Sequence, residues 1–430
     1  MSRKSLLDVA NTFDNRLIQR MGRVLAKIAG LVNPRQTLLD RLPAGLAWRA
    51  KVLLYGWKVR TQVYWDDSRP PADLPYVLLV THDLSASGAP RVLAELGSLL
   101  LSNRVNVIVL SFQDGPFRER LVEMGAIVVT NAGILMPYSS LAKKLARKAR
   151  VAICNTVLTA QVVREVSAVV STIWYIHEVS ILTAHLEEHK TLADTFALPR
   201  LVWAGSELSA ALIRPFRESV RVLPYGLDPL GSSLNRVPGL HDGPLRIAVF
   251  GTFERRKGQD LAVEAIHLLS PVERSAVELS LYGRVLQPEF FTIVEAALAR
   301  TPEASFCGDL DAATYEAEAA AVDAVLVPSR DDTLPLVSLD ALGAGRVLMC
   351  TPTTGTSAYL HSGVDSFVSA TADPESIAAM LSAAIARRAE WPAIGNAGEA
   401  LFTRTFSKTA FSKCILEAIE PFLGEAKIKT

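Results

Sequence analysis

Cysteine is scarce in this chain. The four in 430 residues (Cys154, Cys307, Cys350, Cys414) lie far apart, without paired or metal-type spacing. That excludes a disulfide framework and a structural zinc site, and it fits a reducing compartment. No run approaches the ~20 apolar residues of a membrane span. The N-terminus alternates apolar and charged residues rather than building the continuous apolar core of a signal peptide. Neither Gly-Lys-Ser/Thr of a P-loop nor a GxGxxG fingerprint is present. Neither sign of charge dominates, with 45 Lys/Arg against 44 Asp/Glu. A cytoplasmic protein is expected, peripheral at the membrane if it meets one, with no nucleic-acid partner, no metal and no cofactor.

What is present is half apolar and about a fifth charged, the balance of a globular chain, and too long for one ordinary core. The net charge of +1 hides an asymmetry. Residues 1–60 hold twelve Lys/Arg and three Asp, so the basic end carries +9 and the remainder −8. Within it, Leu6, Val9, Phe13, Leu17, Met21, Val24, Ile28 and Leu31 recur at helical spacing, with Arg16, Arg20, Arg23 and Lys27 on the other side. A second apolar-basic segment, 46–60, contains Trp48 and Trp57. Such segments either pack on the body of a protein or lie on an anionic membrane surface. The expected unit is a basic amphipathic helical extension over 1–72, with peripheral membrane contact through residues 1–60.

From Pro75 short apolar strands alternate with helical stretches: YVLLVTH (76–82), VNVIVLSF (105–112), AIVVTN (126–131), VAICNT (151–156), STIWYIHE (171–178) and LVWAGS (201–206). After a turn-rich stretch at 225–244 the rhythm restarts with RIAVFGTF (246–253), ELSLYGR (278–284), AVDAVLVP (321–328), VLMCTP (347–352) and SFVSA (366–370). This order predicts an α/β protein with two Rossmann-like domains facing a cleft. The expected division is 73–228, with a C-terminal helix at 405–430 packed back on it, and 229–404.

Three segments carry chemistry. LVPSRDDTLPLVSLDALGAG (326–345) runs from a strand through an acidic loop to a helix opening near Leu336, with Asp332 in the loop and Asp340 on the helix. A helix start exposes unpaired backbone N–H groups suited to a phosphate, and an acid along that helix can accept from a ribose diol. FGTFERRKGQD (250–260) hangs Arg256 and Lys257 over the cleft, where a cation pair can neutralise a diphosphate; the bland alternative is an ordinary basic loop. YIHEVS (175–180) ends a buried strand on His177 and Glu178; a lone His there is usually structural, but two polar residues ending such a strand near the cleft favour a functional role. The small-residue turn THDLSASGAP (81–90) with Gly88 is a weaker signal of the same kind.

Together the Ser-Gly turn, IHE, LPYGLD, VFGTFERRKGQD and PSRDDTLPLVSLDALGAG resemble the retaining GT-B glycosyltransferases of family 4 over residues 75 to 425. The resemblance implies a hexosyltransferase that moves a sugar from a nucleotide-diphosphate sugar to a glycan or lipid-linked acceptor hydroxyl, metal-independently and with retention, in bacterial-type cell-surface polysaccharide or glycolipid assembly. It assigns Arg256 and Lys257 to the diphosphate and Asp340 to the ribose. Asp332 with the Thr333, Leu334, Pro335 and Leu336 backbone faces the transferred sugar and β-phosphate, His177 lies near the reacting sugar, and Gly88 lies in the turn beside the phosphates. The residues 73–228 would then be the acceptor side and 229–404 the donor side. Five positions depart from the usual pattern: aspartates replace the paired glutamates, Ser87 replaces the first of two glycines, Thr252 stands where arginine is frequent, and Ala358 stands near the place of a late acid. A degenerate family member, binding a nucleotide sugar or a partner without transfer, is the competing reading, and a non-transferring epimerase on the same two-lobed fold ranks last.

Overall fold

The computed structural model describes residues 61–66, 76–131 except 86, 141–230 except 190, and 238–423. The basic segments expected at 5–32 and 46–60 lie outside the described residues, as do 231–237 of the turn-rich stretch and the last seven residues of the helix expected at 405–430.

Eight strands form the first sheet: β1 (Gln62–Tyr64), β2 (Tyr76–Thr81), β3 (Asn106–Ser111), β4 (Ile127–Thr130), β5 (Ala149–Asn155), β6 (Thr172–Ile176), β7 (Leu201–Ala204) and β8 (Arg221–Val222). Their order is β1-β4-β3-β2-β5-β6-β7-β8, parallel throughout except for the antiparallel edge strand β1. All six residues of β2 are buried, as a parallel strand covered on both faces requires. Successive side chains alternate between two cores. Val77 and Leu79 pack with Leu93 and Leu96 of helix Gly88–Ser102, whereas Leu78 and Val80 pack with Leu145 and Val162 of the helices on the opposite face.

The second sheet holds β9 (Leu245–Phe250), β10 (Val277–Tyr282), β11 (Ala304–Gly308), β12 (Ala324–Val327), β13 (Val347–Cys350) and β14 (Phe367–Val368), all parallel, in the order β11-β10-β9-β12-β13-β14. The architecture is two parallel-dominated α/β sheets, as the strand–helix alternation predicts. Three strands escaped the sequence reading, β1, β8 and β11, and all three are sheet edges. In β11 (ASFCG) three of five residues are exposed, so it carries no buried apolar run to betray it. The strand expected from Ala321 starts at Ala324, because Ala312–Ala321 is a helix packed before it.

The final helix, Lys408–Leu423, packs against β5 and helix Gly88–Ser102 of the first sheet. Its Phe411, Ile415 and Ile419 join one apolar cluster that runs from Val77 and Ile153 through to Ala248, Val325 and Leu339 of the second sheet. Strand order reverses between β2 and β5 in one sheet and between β9 and β12 in the other. Such reversals open a crevice at the carboxyl ends of the strands, which is where ligands of doubly wound sheets bind.

The second sheet is tied to its incoming chain by Asp323, which is fully buried. Its carboxylate accepts from the backbone N–H groups of Gly239 (3.2 Å) and Arg246 (2.9 Å) and lies 2.8 Å from His241 Nε2. Burial alone would raise this carboxyl, but the backbone donors and His241 outweigh it and hold the group below its usual range. A depressed folded value contributes stability above the unfolded value near ~4 and loses it as pH falls through the folded value. Asp323→Asn should therefore cost about 1–3 kcal/mol at pH 7, and the gap to the wild type should close below about pH 4, as followed by denaturant midpoints across pH 3–7.

Candidate functional site

At the second sheet's reversal, the turn after β9 and the loop after β12 meet. Gly258 ends the short 3-10 turn Arg255–Lys257 at φ +72°, and a Cβ there would stand 2.0 Å from the Pro328 carbonyl oxygen. Only glycine allows both the left-handed backbone and that approach. Arg330 then clasps the two loops. Its guanidinium makes paired hydrogen bonds of 2.7 and 2.6 Å to Asp260, its backbone N–H donates to the Arg256 carbonyl at 2.7 Å, and its Nη1 reaches the Arg255 carbonyl at 2.8 Å.

That clasp puts Lys257 Nζ 2.5 Å from Asp332 Oδ2, with Arg256 Nη1 3.5 Å from the same oxygen. Arg256 also meets Glu254 at 2.9 Å, and Glu254 accepts from Thr252 Oγ1 at 2.9 Å. The three residues singled out as Arg256, Lys257 and Asp332 are thus brought together. Thr333 to Leu336 follow directly. Leu334 is buried and Pro335 precedes the helix Leu336–Gly343. Three buried hydroxyls around this loop, Ser329 Oγ, Ser338 Oγ and Thr356 Oγ1, have no hydrogen-bond partner.

Asp340 sits apart from Asp332. Its carboxylate accepts from Tyr315 Oη at 2.6 Å, and burial pushes it up to about 6 against the opposing effects of Tyr315 and Arg91. Beside it opens a cavity of about 370 Å³ lined by Phe250, Thr252, Tyr282, Arg284, Asp309 and Tyr315 among others. Phe250 stacks on Tyr282 (5.2 Å between ring centres) and meets Tyr315 edge-on (5.1 Å). These aromatics, with Tyr315 as partner of Asp340, were missed in the sequence. Tyr282 ends a strand that was read, but Tyr315 lies on a helix without any motif.

Across the crevice, β2, β5 and β6 end side by side on His82, Asn155 and His177. His177 is buried (8 % exposed), meets the Tyr175 ring at a tilt with 4.0 Å between centres, and places Nε2 2.7 Å from Asn155 Oδ1. Burial, and then His82, lower it to about 3, so the ring is neutral. Glu178 turns back onto the chain, accepting from the N–H groups of His177 (2.9 Å) and Val157 (3.2 Å), while burial raises it to about 7. Gly88 is the first residue of its helix, behind an uncapped Ser87, rather than part of the preceding turn. The two sides are close. Asp331, raised by burial and by Asp332, is opposed by the N–H of Ser180 from the first lobe, and Tyr225 of the first lobe responds to the charges of both Asp332 and Asp340. Among the described residues no group of three or more His, Cys, Asp or Glu would hold a metal ion.

Two family models match the chain. Glycosyl-transferase family 4 covers residues 75–206, and glycosyl transferases group 1 covers residues 244–387. This chain belongs to the GT-B glycosyltransferases of family 4/group 1. Solved structures share the fold. HepE of Anabaena, in a complex with UDP and glucose, aligns with TM-score 0.64 at 17% identity over 81% of this chain and 100% of its own. Sucrose-phosphate synthase of Thermosynechococcus elongatus aligns with 0.62 at 16% over 81% and 99%. WaaG, a glycosyltransferase involved in lipopolysaccharide biosynthesis, aligns with 0.59 at 14% over 79% and 99%. No curated protein matches by sequence.

In this glycosyltransferase the loop junction makes a direct test of local geometry. Gly258→Ala must move the Pro328 carbonyl or the Lys257 turn, because the new methyl group and the carbonyl oxygen cannot share the space. A loss of more than about 2 kcal/mol in chemical denaturation is expected, well above the ~0.5–1 kcal/mol change usual for glycine to alanine where the backbone tolerates it.

Proposed function

We propose that this glycosyltransferase moves a sugar from a nucleotide-diphosphate sugar to an acceptor hydroxyl with retention of anomeric configuration. The observation that carries the reading is the Lys257–Arg256–Asp332 cluster, clasped beside orphaned hydroxyls and a helix start, and an aromatic cavity lined by Tyr315, the hydrogen-bond partner of Asp340. A diphosphate beside that helix start would meet Arg256, Lys257 and the backbone N–H groups near Leu336, which supply positive field without a metal. The base would lie among Phe250, Tyr282 and Tyr315, and the ribose hydroxyls would donate to Asp340. Asp332, with Thr333 to Leu336, would face the transferred sugar from one side, and His177 and the Gly88 helix start from the other. The residues before the turn-rich stretch would then take the acceptor, and those after it the donor.

Retention follows from a front-face exchange at the anomeric carbon. Its bond to the diphosphate oxygen breaks, its bond to the acceptor oxygen forms on the same face, and the acceptor's proton passes to the departing phosphate. Neither His177, neutral and enclosed, nor Glu178, folded onto two backbone donors, is disposed for a double displacement. Closure of the two lobes would exclude water and limit hydrolysis. Cell-surface polysaccharide or glycolipid assembly is the setting we favour, supported by the lipopolysaccharide role of the structurally similar WaaG only as an analogy of fold.

A thermal-shift screen over UDP-, GDP- and ADP-sugars tests the site. The right donor at about 100 times its Kd should stabilise the protein by about 2.7 kcal/mol, and Lys257→Ala should remove most of that shift. Because Asp340 must be ionised to accept from a ribose, donor affinity should fall as pH drops through about 6. Transfer followed by mass spectrometry, with and without EDTA, should proceed in both, and NMR of the product should show retention. Wild-type protein that binds a donor yet never transfers would replace this reading with a degenerate, binding-only protein.

The +9 charge of residues 1–60 supports an acceptor held at an anionic membrane face. Flotation with anionic vesicles should carry the full chain upward and leave a chain lacking 1–60 behind, whereas equal flotation of both would remove the membrane from the proposal.

A further inference from the structure

The strand ends of the first lobe hold a device that the family motifs do not describe. β5 lies between β2 and β6, and its last residue, Asn155, is buried. The Asn155 amide has one orientation available. Its Nδ2 donates to the Ala89 carbonyl at 3.0 Å, in the first turn of the helix that starts at Gly88, which leaves Oδ1 facing His177 Nε2 at 2.7 Å. An amide oxygen only accepts, so the ring proton must sit on Nε2. Nδ1 is then a bare acceptor, buried and without a partner. It faces Gly205, where a Cβ would stand 3.0 Å away.

Thr156 is the second observation. It has φ +74° and ψ 157°, a region that β-branched residues almost never occupy. The conformation is over-determined. The Thr156 N–H donates to the Tyr175 carbonyl at 2.8 Å, its carbonyl accepts from Trp174 Nε1 at 2.8 Å and Thr159 Oγ1 at 2.9 Å, and its Oγ1 lies 3.3 Å from His82 Nδ1. The strained turn lets neighbouring residues of one strand serve two histidines on two flanking strands, Asn155 toward His177 and Thr156 toward His82.

We propose that Asn155 is a positioning residue: it holds His177 in a single Nε2–H tautomer and ties that ring to the helix start at Gly88–Ala89. The proposal rests on reading His177 as the neighbour of the transferred sugar. It makes His177 a neutral hydrogen-bonding group whose free acceptor is Nδ1, rather than a proton-transfer group. The groups facing the ring are Tyr175 and Glu178 of its own segment, Tyr225 beyond β8, His82 beyond β2 and Asn155 of β5.

Two-bond 1H–15N NMR of the full chain labelled at histidine reads the tautomer directly, with His177→Phe identifying the signal. The wild type should show His177 as the Nε2–H form across pH 5–8. Asn155→Ala should give a mixture of tautomers and lower kcat by on the order of ten- to hundredfold, with the donor KM moving far less. Asn155→Asp keeps the acceptor toward His177 and the shape but gives up the donor to Ala89, so it should restore the single Nε2–H form without the tie to the helix start, and raise the pH at which the ring takes a second proton. A wild-type Nδ1–H form, or an Asn155→Ala protein that keeps a pure Nε2–H signal, would overturn the proposal. The tautomer signal does not depend on turnover, so a protein that binds without transfer leaves this result standing.

Discussion

Arg330 lies on the loop that leaves β12, and Asp260 in the first turn of the helix that follows β9, where the order of the second sheet reverses. An ion pair with this much exposure is worth little as charge attraction, of the order of 1 kcal/mol or less. Its geometry matters more. Two parallel hydrogen bonds fix both loops in rotation as well as distance, and the Arg330 backbone bond to Arg256 makes the spacing between them a backbone property. Gly258 permits the approach, and Lys257 and Arg256 are carried onto Asp332 as a consequence. Three cations and three acids would otherwise spread over flexible side chains. Here they form a preset charged edge, which under the proposed function a diphosphate would enter without first organising it.

The first lobe uses a different principle at the corresponding reversal. There the groups are neutral and buried, and the ordering comes from backbone strain and amide hydrogen bonds instead of ion pairs. Thr156 stores strain that its bond to the Tyr175 carbonyl and the bonds from Trp174 and Thr159 oppose, and the gain is that one strand end serves two neighbours. A charged, half-exposed edge facing a neutral, enclosed one suits a ligand that is anionic at one end and hydroxyl-rich at the other.

The alternation of buried strands with helices made both sheets legible, because a parallel strand covered on both faces must be a continuous apolar run, as in YVLLVT. Edge strands lack that obligation, so β1, β8 and β11 left no trace. The charged half of the site was legible for a similar reason: RRKGQD and RDDTLP are local in sequence and polar where polarity is costly to bury. Tyr315, Asn155 and His82 were not legible as site residues. Each acts through a partner 22 to 74 positions away, Asp340 for Tyr315, His177 for Asn155 and Thr156 for His82, and only the strand order brings them together.

The paired aspartates, each one methylene shorter than the glutamates usual in the family, find different answers. Asp332 is met by a lysine that the clasped loop delivers to 2.5 Å, so the shorter reach is made up by backbone placement. Asp340 is met by the Tyr315 hydroxyl at 2.6 Å, which takes one carboxylate oxygen and leaves the other for a ligand. Burial of Asp340 favours the protonated acid, and Tyr315 and Arg91 oppose that without cancelling it. A ribose diol donating to the carboxylate would add to the same side of the balance. Ligand binding and ionisation of Asp340 would then be linked, each favouring the other, so an aspartate that is short and partly protonated when free is not evidence of a dead site. Under the proposed function it is what a carboxylate would look like if its last hydrogen bonds came from the substrate.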